Sequence, residues 1–301
     1  MQNHRRKLYS YLPNVIFTVL LSFALTVFIM LYLVKTMALS PKTYTDAMYK
    51  SAVDVTAFDE INAYFERQSA YTGVNADVLK NSIAQKDVSA SMFAYVDSTF
   101  EYMSGKTSKL PEFEFDFTAL EENVHNDYLR WAAENNVQYT DELAGYESRT
   151  IASAKSVILN KLDIMLLSYL NKDGGISTTI RNNYSNLGKI MYGALGVCIL
   201  LLAVIVLINR KHIRNLFYWT SVAFLTGGVI LVLPTAILKG TRYFDSLVLA
   251  NDAIYSALTQ SLYAITNEVF KGGIILIVTA ALLMFIHYAM LKGMFKFRYK
   301  K

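Results

Sequence analysis

The chain has 301 residues, 53% of them apolar and 18% charged, with a formal net charge of +5. The apolar residues are gathered into a few long blocks, which excludes an ordinary soluble globule and points to a membrane protein. Cys198 is the single cysteine, so no intrachain disulfide can form. The positive balance is too unevenly placed to argue for a nucleic-acid partner.

The first apolar run, 15–34, contains no Asp, Glu, Lys or Arg and matches the roughly 20 helical residues needed to cross about 30 Å of hydrocarbon. His4, Arg5, Arg6 and Lys7 precede it, as they would in a signal peptide. The run exceeds a usual signal-peptide core, however, and Pro41 follows the small-residue site Ala38-Leu39-Ser40. An uncleaved signal anchor is expected.

Residues 35–189 are long enough for a domain with its own core, and helical signals dominate them. Thr45 or Asp46 is expected to cap a helix running to Gln68, with Ala47, Ala52, Val55, Phe58, Ile61 and Phe65 as its buried stripe. Asn75 caps a short helix over 76–84, and Asp87 another over 88–103 that stops at Ser104-Gly105. The alternation in "EFEFDF", 112–117, reads either as a recognition strand or as a loop tucking Phe113, Phe115 and Phe117 onto the bundle; the loop is the simpler reading. Asp116 or Thr118 opens a helix to Asn135 carrying Leu120, Val124, Tyr128 and Trp131. Thr140 opens a long one to Leu170.

Residues 156–170 could pass for a further span. Lys161 and Asp163 would then sit at mid-bilayer at about 2.5–3.5 kcal/mol each, so a buried helix of the domain is expected instead. Five such helices suggest a bundle. Residues 176–186 are expected to run unbroken into a second span, 190–208. A seven-residue turn, 209–215, leads to a third span, 216–238, in which Pro234 is expected to introduce a kink. Residues 239–271 form an amphipathic helix expected to pack beneath the bundle, followed by a fourth span, 272–291, and a basic tail, 292–301.

Charge orients this plan. The segments 1–14, 209–215 and 292–301 hold eleven basic and no acidic residues, among them Arg5, Arg6, Lys7, Arg210, Lys211, Arg214, Lys296, Arg298, Lys300 and Lys301. All 24 Asp and Glu fall in the other segments. Short basic segments stay in the cytoplasm, so those ten residues are read as topology determinants. The expectation is a multi-pass plasma-membrane protein with both termini cytoplasmic. Its fold class is all-α: four transmembrane helices, with an extracytoplasmic helical bundle between the first two.

Little in the chain promises chemistry. It has no HExxH, GxSxG, Walker A or GxGxxG motif, and no carboxylate within a span to relay protons. Catalytic, cofactor and metal residues are therefore all expected to be none. Three polar residues are still candidates. Glu121 and His125 lie four apart on one helix, as in a carboxylate–histidine site, although a solvated face explains them more simply. His287 is ionisable and lies inside the fourth span, although a neutral interfacial histidine is simpler. Small residues four apart, such as Ala223 and Gly227, or Ala289 and Gly293, permit close helix packing within one chain or between two copies.

One span, a large outer domain and three further spans reproduce the plan of cell-division and macrolide-efflux ABC permeases. Those permeases carry a cytoplasmic coupling helix where this chain has only "NRKHIRN", so the likeness is one of plan alone. The outer segment "AYTGVNADVLKNSIAQKDVSASMFAYVDSTFEYMSGK" resembles a group of uncharacterised four-span membrane proteins of Gram-positive-type bacteria. That resemblance implies an anchored helical outer domain and supplies no site residues. The function expected is non-enzymatic. The lipid bilayer is one partner, and the outer domain binds a protein or envelope component, with a second copy of the chain as a further candidate. The alternatives are a transport or secretion subunit and, behind it, a membrane enzyme acting on lipid or wall precursors.

Overall fold

The computed structural model describes residues 2–72, 74–163, 167–172, 174–247 and 252–292, with only the backbone described at 2–10, 72 and 253. The fold is all-α, 85% helical, without a strand among the described residues. The chain divides into two compact units: Met1–Leu39 with Ser185–Ser246 and Leu262–Lys301, and Ser40–Tyr184 with Leu247–Ser261.

The first unit is built from α1 (Gln2–Leu33), α9 (Ile176–Asn209), α10 (Ile213–Gly240) and α11 (Asp252–Leu291), the last of 40 residues. Each contains a stretch long and apolar enough to cross a membrane. Phe23 of α1, Ile199 and Leu200 of α9 and Ile275 and Leu282 of α11 are exposed, a pattern compatible with helices set in hydrocarbon rather than water. Leu21, Leu25, Cys198, Leu201, Ile205, Trp219 and Ala223 join α1, α9 and α10. Leu33, Leu231, Val269 and Leu276 join α1, α10 and α11.

Glycine allows the closest approaches. A Cβ at Gly228 would lie 2.8 Å from the Gly273 carbonyl oxygen, and one at Gly227 would lie 3.3 Å from that of Ser22. Residues 239–271 and 272–291 do not form separate helices, because α11 runs unbroken through Gly272-Gly273. That glycine pair is a contact surface for α1 and α10. Pro234 lies inside a continuous α10.

The second unit holds α2 (Pro41–Lys50), α3 (Val53–Thr72), α4 (Ala76–Lys80), α5 (Gln85–Met103), α6 (Thr118–Glu134), α7 (Asp141–Leu162) and α8 (Leu167–Leu170). It also takes in the first turns of α9 and α11. The helix expected over 45–68 is in fact two. Pro41 starts α2, as proline can at a first helical position, and Ala52 breaks the run with φ of 47°. The break resets the phase, so the buried stripe is Val53, Ala57, Ile61 and Phe65, strictly four apart, while Ala52 and Val55 are exposed.

Asn75 caps α4 by accepting the Asp77 N–H at 3.0 Å. Asp87 falls within the first turn of α5 rather than at its cap. The helix expected to reach Leu170 stops at Leu162. The Asp163 carboxylate accepts the Ser168 hydroxyl and, at 3.3 Å, its backbone N–H, a local alternative to continuing the helix. Ala154, Ile158 and Leu162 are buried, and Lys161 pairs with Glu60, so this segment belongs to the second unit's core.

That core is filled by Phe65, Met92, Val96, Phe100, Leu120, Val124 and Ile158, with Ala257 of α11 added. A buried polar network pins the start of α9. The Asn171 amide donates to Tyr95 Oη at 3.1 Å and Thr99 Oγ1 at 2.8 Å, and its oxygen accepts the Ser177 hydroxyl at 2.6 Å. Every polar group in it is thereby satisfied at low solvent access.

Candidate aromatic cleft and polar clusters

The stripes of α6 and α7 run beyond the core they fill. On α7 the four-residue series Leu162, Ile158, Ala154 and Thr150 continues to Tyr146, which is 51% exposed. On α6, Leu120, Val124 and Tyr128 are followed by Trp131, which is 46% exposed. The last turn of α3 contributes Tyr71, 90% exposed. These three rings and the buried Val74 and Tyr128 bound a cleft of about 520 Å³, within the size range of small-molecule sites.

The cleft also carries polar groups. Tyr128 Oη and Thr150 Oγ1 are 3.0 Å apart. Asp127, one-tenth exposed, pairs with Arg130 through Oδ1. The Gln68 amide donates to Ser153 Oγ at 2.8 Å. Arg149 lies with its guanidinium carbon 4.6 Å from the Tyr146 ring centroid and donates through Nε to the Gly145 carbonyl at 3.1 Å. Its terminal amino groups meet no carboxylate among the described residues. The cleft therefore presents flat apolar faces, an acceptor in the Asp127 carboxylate and a planar donor in the Arg149 amino groups.

The candidate pair Glu121 and His125 is engaged elsewhere. Glu121 pairs with Lys155, and His125 Nδ1–H donates to Glu147, 3.0 and 3.2 Å from its two carboxylate oxygens. Tyr139 Oη donates to the same carboxylate at 2.5 Å, which raises the phenol's pKa above its usual value. These contacts tie α6, α7 and the loop between them. No group of three His, Cys, Asp or Glu suited to a metal occurs among the described residues.

The "EFEFDF" segment forms no strand. Ser91 Oγ donates to the Glu114 carbonyl at 2.6 Å, Phe113 stacks on Tyr95 with ring centroids 3.7 Å apart, and Phe115 and Phe117 pack against the core. This is the tucked loop.

In the first unit His287 meets the turn between α9 and α10. Its Nδ1–H donates to the Arg214 carbonyl at 2.7 Å, and its ring lies 5.4 Å from Tyr218. At the same end Asn14 and Asn209 exchange amide hydrogen bonds at 2.7 and 3.4 Å, and Tyr11 meets Trp219 edge-on. Only residues 210–212 separate α9 from α10, so Arg210 and Lys211 lie in a link too short for any helix, and Arg214 lies in the first turn of α10. The Arg5, Arg6 and Lys7 side chains, and Lys296, Arg298, Lys300 and Lys301, lie outside the described residues. No protein-family model, curated protein or solved structure matches this chain.

Proposed function

We propose that the protein is a multi-pass plasma-membrane protein with cytoplasmic termini. Its second unit is a non-enzymatic extracytoplasmic module that captures an envelope component in the Tyr71–Trp131–Tyr146 cleft. The cleft carries this reading. Three large rings from three helices stay exposed around buried polar groups, in a unit whose core is otherwise filled, and such concave sites with a few convergent polar groups are where proteins bind ligands. The orientation is supported by the basic residues at one end of the spans, with every Asp and Glu elsewhere.

Two measurements on the full chain, expressed in cells with Cys198→Ala, test the reading. A membrane-impermeant maleimide should label Ser69→Cys in intact cells and Lys211→Cys only after permeabilisation; the reverse pattern ends the extracytoplasmic assignment. A photo-crosslinking amino acid at position 71 should give an envelope adduct that Trp131→Ala removes. Absence of any adduct, or one indifferent to Trp131, ends the binding role.

A further inference from the structure

Resting on the cleft's assignment as a binding site, we infer that its ligand is a saccharide segment, pyranose rings lying on the faces of Tyr71, Trp131 and Tyr146 with hydroxyls directed to Asp127 and Arg149. The wall and the floor make different demands, and together they narrow the ligand. Exposed aromatic faces attract a partner with an apolar flat side. The Asp127 carboxylate, which meets Arg130 through Oδ1, and the terminal amino groups of Arg149 keep capacity for further hydrogen bonds. A purely apolar occupant, such as the greasy face of a partner helix, would cover that capacity without using it.

A nucleic acid strand would also stack on the rings. The segment from Lys35 to Arg181, however, carries 21 acidic and 14 basic residues, a field that repels a polyanion. A lone small anion would find one exposed guanidinium, already laid over Tyr146, and would leave the three rings uncovered. A pyranose satisfies both demands. One face presents C–H groups to a ring, and its equatorial hydroxyls both donate and accept. The acceptor is the Asp127 carboxylate, and donors come from the Arg149 amino groups and the tyrosine hydroxyls. The Arg149 stack on Tyr146 pre-orients that donor plane before a ligand arrives.

The test uses the full chain in lipid nanodiscs, since glycoside detergents would compete. The chain has two tryptophans, so Trp219→Phe leaves Trp131 as the sole indole reporter. Chitotriose, cellotriose and maltotriose are titrated to about 10 mM, the range of weak but specific binding. At least one should change Trp131 emission saturably, and Tyr146→Ala and Tyr71→Ala should each weaken it about tenfold. Both replaced rings are at least half exposed, so circular dichroism melts should stay near the parent. Saturation-transfer NMR on the unsubstituted chain, read at the sugar ring protons, gives the same answer without the Trp219 change.

No saturable response to any of the three sugars by either method overturns the inference, as does a response indifferent to Tyr71 and Tyr146. A protein adduct from position 71 without a sugar response overturns the ligand class and leaves the binding site. Failure of both the adduct and the sugar response overturns the site as well.

Discussion

The glycine contact between α10 and α11 yields a graded prediction. A methyl group at Gly228 would lie 2.7 Å from Ile277 Cγ1, 2.8 Å from the Gly273 carbonyl oxygen and 3.1 Å from the Ile277 nitrogen. Two of these are backbone atoms of a continuous helix, so no side-chain rotation relieves them. Restoring ordinary contact requires the helices to part by about 0.5 Å, which forfeits about a quarter of the dispersion energy of each cross-helix atom pair. With about thirty pairs at ~0.15 kcal/mol each, the loss is about 1 kcal/mol, and residual overpacking strain adds about 1–2 kcal/mol. The helix propensity gained by alanine returns at most about 1 kcal/mol. Gly228→Ala should therefore cost about 1–2 kcal/mol net.

Gly273→Ala, whose methyl would meet Val232 Cγ2 at 2.7 Å and the Gly228 oxygen at 3.0 Å, should cost nearly as much. Gly227→Ala should cost less, its nearest neighbour being Ser22 oxygen at 3.3 Å. Gly193→Ala and Gly196→Ala meet nothing within 4 Å and should be neutral or stabilising. The double variant at 228 and 273 should cost less than the sum of the singles, since both act on one crossing. Unfolding of the purified chain in mixed micelles by increasing dodecyl sulfate, followed by circular dichroism, ranks the set. If Gly228→Ala and Gly273→Ala fall within about 0.3 kcal/mol of Gly193→Ala, the crossing is not where the structure places it.

Asn14→Leu should cost about 1–2 kcal/mol by leaving Asn209 with the Ile205 carbonyl alone, and adding Asn209→Leu should recover most of it; the same micelle titration reads both. Asn171→Ala orphans Tyr95, Thr99 and Ser177 together and should lower stability by at least about 2 kcal/mol, seen as faster proteolysis within 40–184. Glu147 holds the Tyr139 phenol above its usual 10.0. Its contribution is full below that value and lost as pH rises through the raised one, so Tyr139→Phe should flatten the alkaline limb of a melting-temperature profile. The Thr118 hydroxyl and N–H hold Asp116 below its usual 3.8. Its contribution is present above that value and lost as pH falls through the lowered one, so Asp116→Ala should flatten the acid limb.

Four long apolar helices were legible in the sequence because a bilayer demands unbroken runs free of charge, and the runs at 190–208 and 216–238 each sit inside one described helix. What the pattern misjudged were points where one residue decides between local alternatives. Ala52 takes a left-handed conformation that few alanines adopt, and Asp163 turns its carboxylate onto Ser168 instead of letting α7 continue. Between 271 and 272 a boundary was expected where α11 is continuous, and there the missing glycine side chains are what the neighbouring helices pack against.

The cleft escaped the sequence for a related reason. Periodicity reports which face of a helix is apolar but not where the facing helix ends. Trp131 belongs by spacing with Leu120, Val124 and Tyr128, and Tyr146 with Thr150, Ala154 and Ile158, so each reads as one more core residue. Only the packing reveals that the core stops one turn short of both, next to Tyr71 at the end of α3. A stripe that overruns its core costs solubility unless something covers it. The positions that do so here are large rings next to Asp127 and Arg149 rather than small or charged side chains. That choice of residue is what sets the cleft apart from a frayed edge of the bundle.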